Sequence, residues 1–123
     1  MWGDFKDIIT ITTPKKYLQE QANKLYKATD QILKAEISSE RTRSHRDLAY
    51  TLNIIAPRLN DYTKTIILIE HDLEPYPLTV RDYVNDEKYE CANESSFLAL
   101  LENILSSPKV QKSIKSLISH SSS

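Results

Sequence analysis

The chain has 123 residues, 40% hydrophobic and 27% charged, with a formal net charge of -1. That is enough for one domain with one core that needs no metal or disulfide to fold, and it excludes a disordered chain and a protein that coats nucleic acid or anionic membrane by net charge alone. A single glycine, Gly3, excludes Gly-rich phosphate loops, dinucleotide fingerprints and the Gly-x-Ser-x-Gly elbow, which need several glycines for positive φ or close backbone approach.

One cysteine, Cys91, allows no intramolecular disulfide and points to a reducing compartment. The opening residues "MWGDFKD" carry two acids and no secretory pattern. No apolar run approaches the roughly 18 residues of a membrane helix. The expectation is a cytoplasmic protein without membrane contact. It forms a single domain over 1–123, with an N-terminal arm over 1–13 and a flexible tail over 119–123.

In chain order, the β-branched run "IITITT" (8–13) is an extended arm or an edge strand. Thr13-Pro14 is an N-cap followed by proline at the first helical position. Leu18, Ala22, Leu25, Thr29, Ile32 and Leu33 then recur at helical spacing to about Lys34. "AEISSERT" is a weak strand. "LAYTLNIIAP" (48–57) alternates, with Leu48, Tyr50, Leu52, Ile54 and Ala56 on one face. Asn60-Asp61 is a two-residue turn into the return strand "YTKTIILIEH" (62–71). That register sets Ile54 opposite Ile67, Leu52 opposite Ile69 and Tyr50 opposite His71.

"PLTVRDYV" and "EKYECA" form a second hairpin around Asn85-Asp86, with Val80 facing Cys91. A helix follows over about Glu94–Leu105, and Ser107-Pro108 caps another with Val110, Ile114, Leu117 and Ile118 as its stripe. The fold class is α+β: an N-terminal helix, an antiparallel meander of four to five strands, and two C-terminal helices packed on one face of the sheet. The order of helix, antiparallel strands and helix resembles the double-stranded-RNA-binding domain in outline. That domain is about half this length, and neither its glycine-bearing loop nor its lysine cluster is found here, so no residue role carries over.

The candidate sites are few. "SSERTRSHRD" (38–47) gathers Arg41, Arg43, His45 and Arg46 in one loop, and the planar guanidinium fork suits phosphate or carboxylate. Glu40 and Asp47 flank it, so a salt-bridged turn is the plainer reading. Lys109, Lys112 and Lys115 form a basic strip at spacing three, which also fits the solvated side of an amphipathic helix. Glu70, His71 and Asp72 offer an acid and a base. Neighbouring strand residues point to opposite faces, however, and no second histidine stands at metal spacing. Cys91 reads as a buried structural thiol.

On the second sheet face, Ile55 pairs with Ile66 near Leu68. With Tyr62 they make an apolar candidate interface for a protein partner or for a homodimer. The expected function is non-enzymatic binding of another macromolecule, a protein above all, as an adaptor, inhibitor or immunity-type partner. No cofactor is called for. The alternative is nucleic-acid or phosphate binding through the Arg41–Arg46 loop joined with the Lys109–Lys115 helix face.

Overall fold

Thr13 opens the first helix, α1 (Pro14–Ala28), with extended backbone and a hydroxyl that accepts the Lys16 N–H at 3.3 Å. Pro14 at the first position has no N–H to leave unsatisfied. The computed structural model describes residues 12–122, so the arm expected over 1–13 lies outside the described residues except for Thr12 and Thr13.

The apolar stripe predicts helix to about Lys34, yet α1 stops at Ala28. Thr29 ends it. Its Oγ1 donates to the Leu25 carbonyl at 2.9 Å and accepts the Leu33 N–H at 3.2 Å. Asp30 and Gln31 then adopt φ of 50° and 67°, which turns the chain back. Leu33 is fully buried all the same, reaching the core from the entry to the sheet.

Five strands follow: β1 (Lys34–Ser39), β2 (Leu48–Ala56), β3 (Tyr62–His71), β4 (Leu78–Asp82) and β5 (Glu87–Cys91). They form one antiparallel meander in the order β1-β2-β3-β4-β5. Both hairpins are slipped from the expected register, the second by two residues and the first by two over Leu48–Leu52 and by three nearer its turn. A short 3₁₀ turn, Pro57–Leu59, lengthens the first loop, so Leu52 lies opposite Ile67 and Tyr50 opposite Ile69. Asn60 and Asp61 still take positive φ, as their side chains tolerate. In the second hairpin Val80 faces Tyr89, and Cys91 faces Leu78. A slip of two preserves side-chain parity, so the expected core face survives.

Parity does change at one point. Leu52 pairs with Ile67 but Asn53 pairs with Thr65, so Ile66 is an extra residue in β3. Ile66 and Ile67 are both fully buried in the main core. Beyond this bulge Lys64 lies opposite Ile54 and Tyr62 opposite Ala56, on the helix-covered face. Thr65 takes the second-face position expected of Ile66.

Two further helices close the chain: α2 (Glu94–Leu105) and α3 (Pro108–Ser121). Asn93 and Ser96 form a capping box at the start of α2. Ser107 precedes α3, and its hydroxyl accepts from the Asn85 side chain at 3.1 Å rather than capping the helix. All three helices cover one face of the sheet. Leu18, Phe97, Leu101, Ile104, Val110 and Leu117 meet Leu52, Ile54, Ile69, Leu78 and Val80 in one cluster. Each such side chain contributes about 1.5–3 kcal/mol through burial. The tail expected over 119–123 is helical through Ser121, whose buried hydroxyl donates to the Leu117 carbonyl at 2.7 Å. Among the described residues no helix is long and apolar enough to cross a membrane.

Candidate functional site

Among the described residues no helix covers the second sheet face, and polar groups bond to one another across it. Ser38, Thr51, Leu68, Arg81 and Lys88 form one cross-strand row, and Asn53 and Thr65 lie beside it. The Asn53 amide donates to Thr51 Oγ1 at 3.0 Å and to Ser38 Oγ at 3.3 Å, and Thr65 Oγ1 donates to Asn53 Oδ1 at 2.7 Å. Thr51 and Asn53 are buried despite facing outward.

The apolar candidate interface is corrected here. Ile66 has turned into the helix-side core. Ile55 pairs with Thr63 and is only 8% exposed, and Leu68 is 3% exposed. Tyr62 is exposed but lies on the other face. These four side chains form no common surface. The expected self-association rested on that patch and loses its footing with it.

What bounds this face instead is the basic loop. Glu70 points to it from β3, 2% exposed, and Oε2 accepts the Arg43 N–H at 2.9 Å and the Ser44 hydroxyl at 3.2 Å. Arg46 folds down toward β4, pairing with Asp72 at 3.2 Å and donating to Thr79 Oγ1 at 3.4 Å and to the Pro77 carbonyl. Asp47 and the segment after β3 lock reciprocally. The Asp47 N–H donates to Asp72 Oδ1 at 3.3 Å, and the Leu73 N–H donates to Asp47 Oδ2 at 3.0 Å. His45 sits at the exposed corner with φ of 58°. The loop is thus a turn clamped onto the sheet, and Arg46 is spent on the clamp.

Arg41 and Arg43 are not. Their side chains are exposed and line an open cleft of about 550 Å³ together with Glu40, Thr51, Thr65, Leu68 and Tyr83. Arg81 stands next to Leu68 on the same face, its Nε buried without a hydrogen-bond partner among the described residues. The sequence reading missed Thr65 and Arg81. The alternation of Thr79, Arg81 and Tyr83 with Leu78, Val80 and Asp82 was the available signal.

The basic strip of α3 does not join the loop. Val110 and Leu117 seat α3 against the helix-side core, whereas Arg41 and Arg43 border the face of Thr51 and Leu68. The two groups lie on opposite sides of the sheet.

The remaining candidates lose their chemistry. His71 is buried beside Tyr50 at 6.1 Å between ring centres, and its Nδ1–H donates to the Asp72 carbonyl at 2.7 Å. Glu70 faces the other side and the Asp72 carboxylate is paired with Arg46, so neither acid serves His71. Cys91 is 2% exposed, and burial raises its thiol pKa above the usual value against an opposing Ser96 hydrogen bond. Among the described residues no three histidine, cysteine, aspartate or glutamate side chains converge on a metal site.

No family model matches the chain, and neither a curated protein nor a solved structure matches it.

Proposed function

We propose that this protein is a non-catalytic binding module whose helix-free sheet face captures an acidic segment of a partner protein. The observation that carries this reading is the cleft beside Arg41 and Arg43, held open by a loop that Glu70 and Asp72 clamp in place. A fixed loop has already lost its freedom, so a ligand gains from two guanidinium groups without ordering their backbone. Arginine forks bind carboxylates in bidentate fashion, and Tyr83 at the cleft, 42% exposed, supplies a flat apolar contact.

Mixed charge favours protein over nucleic acid at this face. Glu36, Glu40 and Glu90 stand among Arg41, Arg43, Arg81 and Lys88. Such interspersed signs match a protein segment, whose acids alternate with neutral and basic residues, better than the unbroken negative charge of a phosphate backbone. A single buried thiol suits a reducing compartment, and we take the cytoplasm as the place of action.

An array of acidic peptides tests the reading, probed with the purified protein and with the Arg41→Glu/Arg43→Glu variant. The reading expects a subset of peptides to be bound and charge reversal to weaken them at least tenfold. Binding that ignores the reversal, or no binding at all, would contradict it.

A further inference from the structure

A second cleft lies on the opposite, helix-covered side, and it differs in kind. It occupies about 560 Å³ between α3 and the start of β3, with Leu59 and Val84 also in its lining. Lys109, Lys112 and His120 line one wall from α3, and Lys64 and Tyr62 line the other. Among the described residues no carboxylate lines it. Lys115, the third lysine of the predicted strip, is not among its walls.

The β3 bulge builds this arrangement. Without the extra residue at Ile66, Lys64 would face the other side of the sheet, where the strand alternation of the sequence places it. With it, Lys64 shares a face with Ile54 and meets the α3 lysines. Tyr62 follows the same parity and is 52% exposed within the cleft. Ser113 and Ser116 add hydroxyls along the same helix stripe, and the His120 ring is fixed by donation of its Nδ1–H to the Ser116 carbonyl at 2.8 Å.

We infer that this groove binds single-stranded nucleic acid, a function separate from capture of an acidic protein on the other face. Length and charge together point to a polymer. Lys109 and His120, the first and last α3 residues of the cleft, stand eleven positions apart, so its polar lining runs along about 16 Å of helix, further than one phosphate group can bridge. Three lysines in a cleft whose described walls hold no carboxylate make an electrostatic track, and an exposed tyrosine beside it is a stacking platform for a base. This pairing of lysine track and aromatic face is absent from the mixed-charge cleft of Arg41 and Arg43. A base must splay out to stack on Tyr62, which a single strand allows and a rigid duplex does not.

Fluorescence anisotropy with labelled oligo(dT) and oligo(rU) tests this. A duplex of equal length, polyglutamate and a salt series serve as comparisons. The groove reading expects the single strands to bind, with affinity falling as salt rises. Lys112→Glu, on an exposed helix position, and Lys64→Glu should each weaken binding at least tenfold. Tyr62→Ala should weaken it about fivefold or more, the low end for one stacked base. Arg41→Glu/Arg43→Glu should leave it unchanged, which separates this site from the protein-binding face. Absence of binding would overturn the inference. So would equal binding of duplex or polyglutamate, indifference to Tyr62→Ala, or loss through the Arg41 and Arg43 pair instead of the lysines. Circular dichroism of each variant shows that the fold is retained.

Discussion

The Arg43 amide donates to Oε2 of Glu70 at 2.9 Å across 27 positions of sequence, from an exposed loop to a carboxylate that is 2% exposed. A buried acid facing the helix-free side of a sheet costs desolvation, and the loop's own donors offset it. Glu70→Ala should therefore destabilise the fold by about 2–3 kcal/mol in chemical denaturation, since it strips the Arg43 N–H of its acceptor. It should also release the loop, so that trypsin cuts after Arg41 and Arg43 much faster than in the wild type. Glu70→Gln keeps an acceptor oxygen and should lose less on both counts.

Ile66 tests the bulge. It is fully buried among the helix-side residues rather than exposed on the second face. Ile66→Ala should cost about 2–5 kcal/mol, and Ile66→Lys should prevent folding. An Ile66→Lys protein as stable as wild type, measured by thermal unfolding, would place the residue back on the surface.

Tyr76 makes the fold sensitive to alkali. Burial, helped by the nearby Glu94 carboxylate, pushes its phenol up to about 12, and its hydroxyl is buried without a hydrogen-bond partner among the described residues. The unfolded phenol titrates near 10, so between these values the unfolded chain gives up its proton first. The neutral phenol's contribution is fully present below pH 10 and is lost as pH rises toward 12. We expect a fall on the order of 1 kcal/mol, because partial exposure of the ring discounts the full shift. Tyr76→Phe should reduce that slope. Near neutral pH it should be neutral or slightly stabilising, since it removes an unsatisfied polar atom.

Cys91 should be silent in the native state. Its thiol is buried opposite Leu78, and burial raises its pKa, so little thiolate is present and none is accessible. Reaction with a thiol reagent should follow the unfolding rate as denaturant is added. Rapid stoichiometric labelling of the folded protein would contradict this placement.

Local patterns in the sequence located most elements. The limits of β3 and α2 follow from periodicity and from Asn93 and Asn60-Asp61, whose chemistry is local. Two-residue slips in both hairpins left the core face unchanged, because side-chain parity repeats every two residues. The end of α1 was misread because Ile32 and Leu33 satisfy the helical stripe and the sheet entry equally well; the reversal at Asp30 and Gln31 decides between them. The bulge was not legible at all. Ile66 and Ile67 can both face the core only because three helices cover that side, a tertiary fact that alternation cannot express. The candidate site suffered most, since the contacts that assign Arg46 to structure, and leave the Arg41 and Arg43 side chains unbonded among the described residues, reach Glu70, Asp72 and Pro77, far along the chain.

The most direct test of the protein-binding face is an amide NMR titration of isotopically labelled protein with the tightest acidic peptide from the array. The account predicts shifts concentrated at Arg41, Thr42, Arg43, Thr51, Thr65, Leu68 and Tyr83, and their loss in Arg41→Glu/Arg43→Glu. Shifts centred on α3 and Lys64, or spread evenly over the surface, would contradict it.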